Sequence, residues 1–169
     1  MKTLRAPQQT LRLDAALPDP ATRWHDGATI THLGREVRLR LDTVGKEAVL
    51  DGDILHLPLP PEAGPRQIQD RAEAWLRNDA RRLLNEVLGE KLCEAVSRGA
   101  ALAGRRPPEL LLSFAASGNW IVVHDADSLR CNWRLIEQPI GVIEHAMVRA
   151  IASLPRPVTE PDLFGALPV

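Results

Sequence analysis

Three features are scarce in this chain of 169 residues: net charge, aromatic side chains and cysteine. The 21 Lys and Arg are balanced by 22 Asp and Glu, which leaves a formal net charge of -1, and aromatic residues make up 4%. Nucleic-acid surfaces combine an excess of positive charge with stacking rings, and neither is abundant here. We therefore expect neither nucleic acid nor an anionic membrane as a partner.

Long apolar runs are also missing. No window approaches the ~18 apolar residues of a membrane span. The N-terminal segment MKTLRAPQQTLRLDAALPDP contains charges but no apolar run of signal-peptide length. The two cysteines, Cys93 and Cys131, lie far apart without metal-ligand spacing, and we interpret them as reduced thiols, although a disulfide between them is compatible with the sequence. A cytoplasmic protein fits these absences.

What the sequence does contain is a hydrophobic content of 44%, enough for a globular core, and 14 prolines that enforce turns. A chain of this length suits one domain. Proline-containing, weakly patterned segments lie at both ends. We therefore predict an N-terminal arm over residues 1–23, a single domain over residues 24–155 and a C-terminal tail over residues 156–169.

The first part of the domain has the alternation that is typical of strands. In ATITHLGREVRLRLD, apolar side chains alternate with arginines, which predicts one half-buried strand. Asp51-Gly52 is a favoured tight-turn pair, and alternating leucines follow it in DILHLPLPP. Pro58 cannot donate to a ladder, so we expect that strand at a sheet edge. Residues 28–60 are thus predicted to form a small antiparallel β-unit.

Helical spacing follows the β-unit. Apolar residues recur every three to four positions over residues 66–88, which predicts a long amphipathic helix. Gly89 either breaks this helix or is tolerated in it, and a second, shorter helical piece follows. Three strands are predicted over ELLLSFAAS, NWIVVHD and the alternating LRCNWRL. A last helix begins after Pro139 and ends before Pro155, so the element order indicates an α+β fold.

Four segments carry a resemblance to a known family. They read ITHLGREVRLRL, DGDILHLPLPPEA, AEAWLRNDARRLLNEVL and LRCNWRLIEQPIGVIEH. In this order they resemble the YgjP-like family of small zinc metallopeptidase-type proteins, which are relatives of the SprT and minigluzincin groups. The similarity spans roughly residues 28–154. It implies a zincin-like fold with an N-terminal β-hairpin unit, a long helix, a mixed sheet and a final helix in the position of the metal-binding helix.

The resemblance also locates the family's catalytic motif on this chain. Family members have HExxH on the final helix, and the NWRL segment together with Pro139 fixes the register. The first His of the motif then falls on Arg149, the general-base Glu on Ala150 and the second His on Ser153. All three catalytic side chains of the motif are therefore replaced.

Two further family features are also lost. The third metal-binding His falls near Thr159, and no His occurs after His145. An RWGS-type segment precedes NWRL in the family and falls on residues 119–122 here, where only Trp120 is kept. The resemblance implies the scaffold of a zinc hydrolase without the residues that carry its chemistry.

The loss of the HExxH side chains matters because of the way catalytic zinc is coordinated. Catalytic zinc needs about three protein ligands and an open position for water. Arg149 stays protonated and only donates hydrogen bonds, Ser153 is a poor neutral ligand, and Ala150 cannot accept a proton from water. We therefore expect no zinc and no hydrolase activity, and we interpret the protein as a degenerate member that acts as a binding or regulatory module.

A relocated metal site is one alternative. His124 lies beside Asp125 and Asp127 in the segment HDAD, and imidazole and carboxylate groups are suitable metal ligands. His145 on the last helix is a further candidate. The simpler interpretation is a polar turn between two strands and an exposed histidine.

A C-terminal adaptor motif is the other alternative. The tail EPDLFGALPV contains Asp162, Leu163 and Phe164, and it looks like the short Leu-Phe peptides that dock on bacterial sliding clamps. The simpler interpretation is a tail that folds Leu163 and Phe164 against its own domain. If the motif is used, its partner is a protein that binds the tail, and loss of residues 156–169 abolishes that capture without unfolding the domain.

Overall fold

A computed structural model describes residues 23–99, 106–114, 119–125 and 127–155. These ranges form two sheets and three helices, which confirms the predicted α+β class. The strands are β1 (Thr29–His32), β2 (Arg35–Leu41), β3 (Val49–Asp51), β4 (Ile54–Leu57), β5 (Glu109–Ser113), β6 (Ile121–Asp125) and β7 (Ser128–Asn132). The helices are α1 (Pro65–Ser97), a 3-10 helix (Trp133–Glu137) and α2 (Ile140–Ala152). Within the same ranges, none of the helices has the length and apolar character needed to cross a bilayer.

The segment predicted as one strand is a hairpin of two. β1 and β2 pair antiparallel on either side of a Leu33-Gly34 turn, whose residues have φ values of 50° and 75°. Glycine adopts this left-handed backbone readily and leucine does not. A leucine at position 33 therefore gave no indication of a turn in the sequence. The N–H groups of Leu33 and Gly34 donate to the C=O groups of Ile136 and Glu137, at 2.8 and 3.1 Å. Contacts from a distant part of the chain therefore hold the turn.

The first sheet is mixed, with strand order β1-β2-β4-β3, and not purely antiparallel as predicted. β2 and β4 run parallel, while β3 and β4 form the hairpin predicted from Asp51-Gly52, in which Gly52 has a φ of 57°. The sheet-edge position expected from Pro58 is wrong, because β4 lies between β2 and β3. Pro58 follows Leu57, the last residue of the strand, so the ladder does not need its missing N–H.

One continuous helix, α1, takes the place of the two predicted pieces. Gly89 is tolerated, and apart from its chain neighbours and the helix's own backbone no atom lies within 4 Å of the position that a Cβ would occupy there. Pro65 begins the helix, at a position where a missing N–H costs no hydrogen bond. The buried residues follow one helical face: Ile68, Ala72, Leu76, Ala80, Leu84, Val87 and Leu88. This face contributes to both hydrophobic clusters of the domain, so α1 joins its two halves.

The second sheet has the order β5-β7-β6, with β7 parallel to β5 and antiparallel to β6. The strand predicted over residues 129–135 ends earlier, at Asn132, where the 3-10 helix takes over. The Asn132 side chain accepts a hydrogen bond from the Arg134 N–H at 3.0 Å and caps that helix. Trp133 and Leu135 stay buried within the 3-10 helix, so the apolar alternation continues past the end of the strand.

The last helix, α2, follows Pro139 as predicted. Its buried side chains are Ile143, Met147, Ala150 and Ile151, and they belong to the same hydrophobic cluster as α1 and β7. α2 also contacts β6, the strand at one edge of the second sheet. This contact places one flank of α2 beside the sheet edge, where the candidate site lies.

Candidate functional site

A cleft of about 340 Å³ lies between β6 and the C-terminal half of α2. Its lining residues are Asn119, Trp120, Ile121, Val123, Ala146, Arg149, Ala150 and Ser153. All three helix positions to which the resemblance assigns HExxH residues are among them. Trp120, the retained residue of the segment before NWRL, is also there. Two segments that are separate in the sequence therefore meet in one cleft, which we call the β6–α2 cleft.

The periodicity of α2 decides which groups the helix presents to the β6–α2 cleft. Ala150 is 7% exposed and belongs to the hydrophobic cluster, whereas Arg149 and Ser153 are exposed one turn apart on the same flank. The Ser153 hydroxyl donates to the C=O of Arg149 at 2.9 Å. This bond satisfies one of the free carbonyl groups at the helix end and leaves the hydroxyl oxygen able to accept.

Arg149 is the one charged residue among those that line the β6–α2 cleft. None of its eight lining residues is acidic, and within the described ranges Arg149 takes part in no ion pair. Glu144, the acid nearest to Arg149 along α2, instead lies 3.2 Å from the Lys91 ammonium. The hydrogen bonds that the Lys91 ammonium donates to Glu94 and then to Glu144 raise the pKa of Lys91. Among the described residues, the guanidinium of Arg149 therefore has no carboxylate partner.

The lining residues do not fit the zinc ion that the family implies. Zinc ligands in proteins are thiolates, imidazoles and carboxylates, whereas this lining offers an amide, a hydroxyl, an indole N–H and a guanidinium. A guanidinium only donates hydrogen bonds and repels a cation. Across the part of the chain that the structure describes, no three His, Cys, Asp or Glu side chains are grouped so as to hold a metal ion. Thr159, the position of the third family ligand, lies outside that part.

His124 and Asp125 of the segment HDAD are the last two residues of β6, and Asp127 comes directly before β7. Asp125 accepts a hydrogen bond from the Asp127 N–H at 2.8 Å. The Ser128 hydroxyl, followed by the Asp127 N–H, lowers the pKa of Asp125. His124 is exposed, and its Nε2 lies 3.4 Å from a guanidinium nitrogen of Arg130. The Asp125 carboxylate is thus engaged by a residue that follows it in the chain. The described partner of the His124 imidazole is the cationic guanidinium of Arg130.

His145, the remaining candidate for a relocated metal site, is exposed on α2 and lies one turn before Arg149. It is not among the residues that line the β6–α2 cleft. The structure therefore does not bring His145 together with the three motif positions in this cleft.

The two cysteines are free. Cys131 is buried in β7, and burial raises the pKa of its thiol to about 12, which suits a packing residue and not a nucleophile. Cys93 is exposed on α1. Asp162, Leu163 and Phe164 of the hypothetical tail motif lie outside the described residues, and that hypothesis stays a prediction.

The sequence did not reveal a largely buried pair of polar side chains, His32 and Asp79. His32 at the end of β1 is 7% exposed, and its Nε2 lies 2.8 Å from a carboxylate oxygen of Asp79 on α1. Asp79 also accepts a hydrogen bond from Arg82 at 2.7 Å, and the His32 ring lies against Trp75. Hydrogen bonding from His32, followed by Arg82, lowers the pKa of Asp79. Sequence patterns could not predict this pair, because His32 on β1 and Asp79 on α1 come together only in the folded chain.

A second cluster surrounds the NWRL segment. The guanidinium groups of Arg77 and Arg134 lie 5.1 and 4.7 Å from the ring centre of Trp133, and Glu73 and Glu137 pair with them. Trp133 is 4% exposed, so it cannot offer a face for base stacking. This cluster attaches the 3-10 helix to α1 through cation–π contacts and ion pairs.

A family model described as YgjP-like, metallopeptidase domain matches residues 3–148. No curated protein and no solved structure matches the chain. The matched range includes the β6 side of the cleft with Trp120. It ends one residue before Arg149, so the three positions that the resemblance aligns with HExxH lie just beyond it.

Proposed function

The chain belongs to the YgjP-like metallopeptidase domain family, and we propose that it is a member without hydrolase activity that binds a ligand in its β6–α2 cleft. In this proposal α2 corresponds to the metal-binding helix of the family. The cleft keeps the position of the active site beside a sheet edge but uses different side chains.

The donor set of the β6–α2 cleft is the observation that carries this proposal. Hydrolysis by a zinc peptidase needs imidazole or carboxylate ligands and a base that takes a proton from water. The corresponding positions here supply a guanidinium from Arg149, a methyl group from Ala150 and a hydroxyl from Ser153. None of these groups binds zinc well, and none takes a proton from water near neutral pH.

Packing supports the idea that the fold does without the metal. Ala150 is buried among apolar neighbours, and α2 contributes four buried side chains to the larger hydrophobic cluster. Arg149 and Ser153 are exposed, so neither polar side chain needs a buried hydrogen-bonding partner. Simultaneous loss of the motif residues is therefore compatible with a stable domain.

The test is the metal content and the chelator response of the full chain, purified without chelator. We expect far less than one equivalent of zinc by elemental analysis, and we expect the same melting temperature with and without EDTA. One tightly held equivalent of zinc, or a drop in melting temperature with EDTA, would overturn the proposal.

A variant that restores the motif gives the matched control. Arg149→His/Ala150→Glu/Ser153→His places two imidazoles one turn apart on α2 and a carboxylate beside them. We expect this variant to bind zinc measurably more tightly than the unaltered chain, which shows that the assay detects a site at this place. A metal found in the unaltered chain and lost in His124→Ala or His145→Ala would instead identify a relocated site.

A further inference from the structure

The side chains of the β6–α2 cleft determine which ligand chemistry it can take. Arg149 supplies its one formal charge, and no acid among the lining residues offsets this charge. A cationic ligand would be repelled by the guanidinium and would gain no ion pair from these lining residues. The cleft is therefore suited to an anion or to a neutral molecule.

The apolar part of the cleft excludes a small inorganic anion as the best-fitting ligand. Ile121 and Val123 from β6 line one side, and Trp120, which is 40% exposed, lies beside them. The volume of about 340 Å³ is in the range of pockets that hold small organic molecules. An ion that touches only Arg149 would leave these apolar surfaces in water, so the ligand needs an apolar body.

The number of positive charges selects among organic anions. One guanidinium presents a planar pair of N–H donors that matches a carboxylate and balances its single charge. A phosphate ester carries nearly two negative charges at neutral pH, and Arg149 alone would leave half of that charge uncompensated. Asn119 and Ser153 add neutral hydrogen-bonding groups on either side of the cleft.

We propose that the β6–α2 cleft binds a small organic carboxylate that has an apolar body. Arg149 holds the carboxylate through its guanidinium. Trp120, Ile121 and Val123 cover the apolar body. This inference rests on the proposed function, because it assigns a ligand class to the same cleft.

N-acetyl-L-phenylalanine and its primary amide are the probes that test this inference, since they share an apolar body and differ in charge. The full chain is titrated with each probe in a low-salt buffer that is free of phosphate and acetate, and its NMR spectrum is followed. We expect the acid to bind at least about tenfold more tightly than the amide. We expect the largest shifts at the Arg149 side-chain N–H and at the backbone N–H groups of Ile121 and Val123.

Arg149→Gln removes the charge, and Arg81→Gln is the matched control because Arg81 is an exposed helical arginine on α1, outside the cleft. We expect Arg149→Gln to weaken binding of the acid by about tenfold or more. We expect Arg81→Gln to leave it unchanged. Equal binding of acid and amide, an unchanged affinity in Arg149→Gln, or shifts confined to residues outside the cleft would each overturn the inference.

The metal assay separates a failure of this inference from a failure of the proposed function. A chain that is free of metal but binds acid and amide equally overturns the ligand class alone. A chain that holds one equivalent of zinc overturns the proposed function as well.

Discussion

Arg149 shows at the scale of one residue how the cleft differs from a metal site. One flank of a helix can carry side chains that bind a metal cation, or it can carry a cationic side chain that binds an anion. The identity of the side chains decides between the two. Its neighbour Ala150 faces the hydrophobic cluster and needs no polar partner. In the proposal, the three side chains that the resemblance aligns with HExxH therefore determine which ligands the cleft can bind.

His32 and Asp79 form the other notable residue-scale feature, since they bond the first sheet to α1 across a largely buried contact. The lowered pKa of Asp79 makes the strength of this bond depend on pH. A carboxyl group that holds its proton less tightly in the folded than in the unfolded state stabilises the fold above its unfolded pKa. That contribution disappears as the pH falls through the lower pKa of the folded state.

Asp79→Asn should therefore lower the free energy of unfolding near neutral pH and make it less sensitive to acid. The measurement is urea unfolding at a series of pH values from 7 to 3. The difference in unfolding free energy between the unaltered chain and the variant should be largest above the ordinary aspartate pKa of 3.8 and should narrow at lower pH. Glu86→Gln is the control, because Glu86 pairs with Arg82 at an exposed position. A gap that does not change with pH would contradict the assignment.

At the scale of elements, α1 is the longest and most informative. Its buried residues follow one face from Ile68 to Leu88, and this pattern predicted the helix from the sequence alone. Gly89 left its continuation open, because a glycine can end a helix or be carried within it. The structure continues the helix to Ser97.

Gly89→Ala should stabilise the protein by about 0.5–1 kcal/mol, because alanine loses less backbone freedom than glycine in a helix and the site has room for a Cβ. Gly64→Ala in the same helix should act in the opposite direction. Gly64 is the N-cap of α1, with an extended backbone, and alanine is a poor N-cap residue. Urea unfolding measures both variants. Destabilisation by Gly89→Ala would mean that the helix does not run through this position.

At the scale of the whole molecule, α1 joins the two hydrophobic clusters that the described residues form. The first lies between α1 and the first sheet, and the second lies between α1, α2 and the second sheet. Trp75 and Ile30 pack against both clusters. Such shared contacts favour a single cooperative unfolding transition.

Leu55→Ala and Met147→Ala test this cooperativity, because each empties a fully buried site in a different cluster. Each should lower the free energy of unfolding by about 2–5 kcal/mol. In both variants, circular dichroism and tryptophan fluorescence should give the same urea midpoint, as they should in the unaltered chain. Two separate transitions in either variant would show that the clusters unfold independently.

Local patterns in the sequence determined the α+β class, the long helix, the Asp51-Gly52 hairpin and the last helix, because each depends on neighbouring residues. The family followed from the same segments. The assignment of the HExxH positions to Arg149, Ala150 and Ser153, which uses the register of the NWRL segment and Pro139, stays a prediction. These local patterns did not show which distant residues contact each other.

Only the tertiary structure decided the features that depend on such distant contacts. The Leu33-Gly34 turn is held by carbonyl groups of the 3-10 helix, and a side chain on Gly34 would come within 2.7 Å of Pro139. The parallel pairing of β2 with β4 placed Pro58 beyond the ladder instead of at an edge. The meeting of Trp120 with Arg149 in one cleft likewise required the packing of β6 on α2. Periodicity tells which face of an element is buried, but the partner of that face is set by the packing of the whole chain.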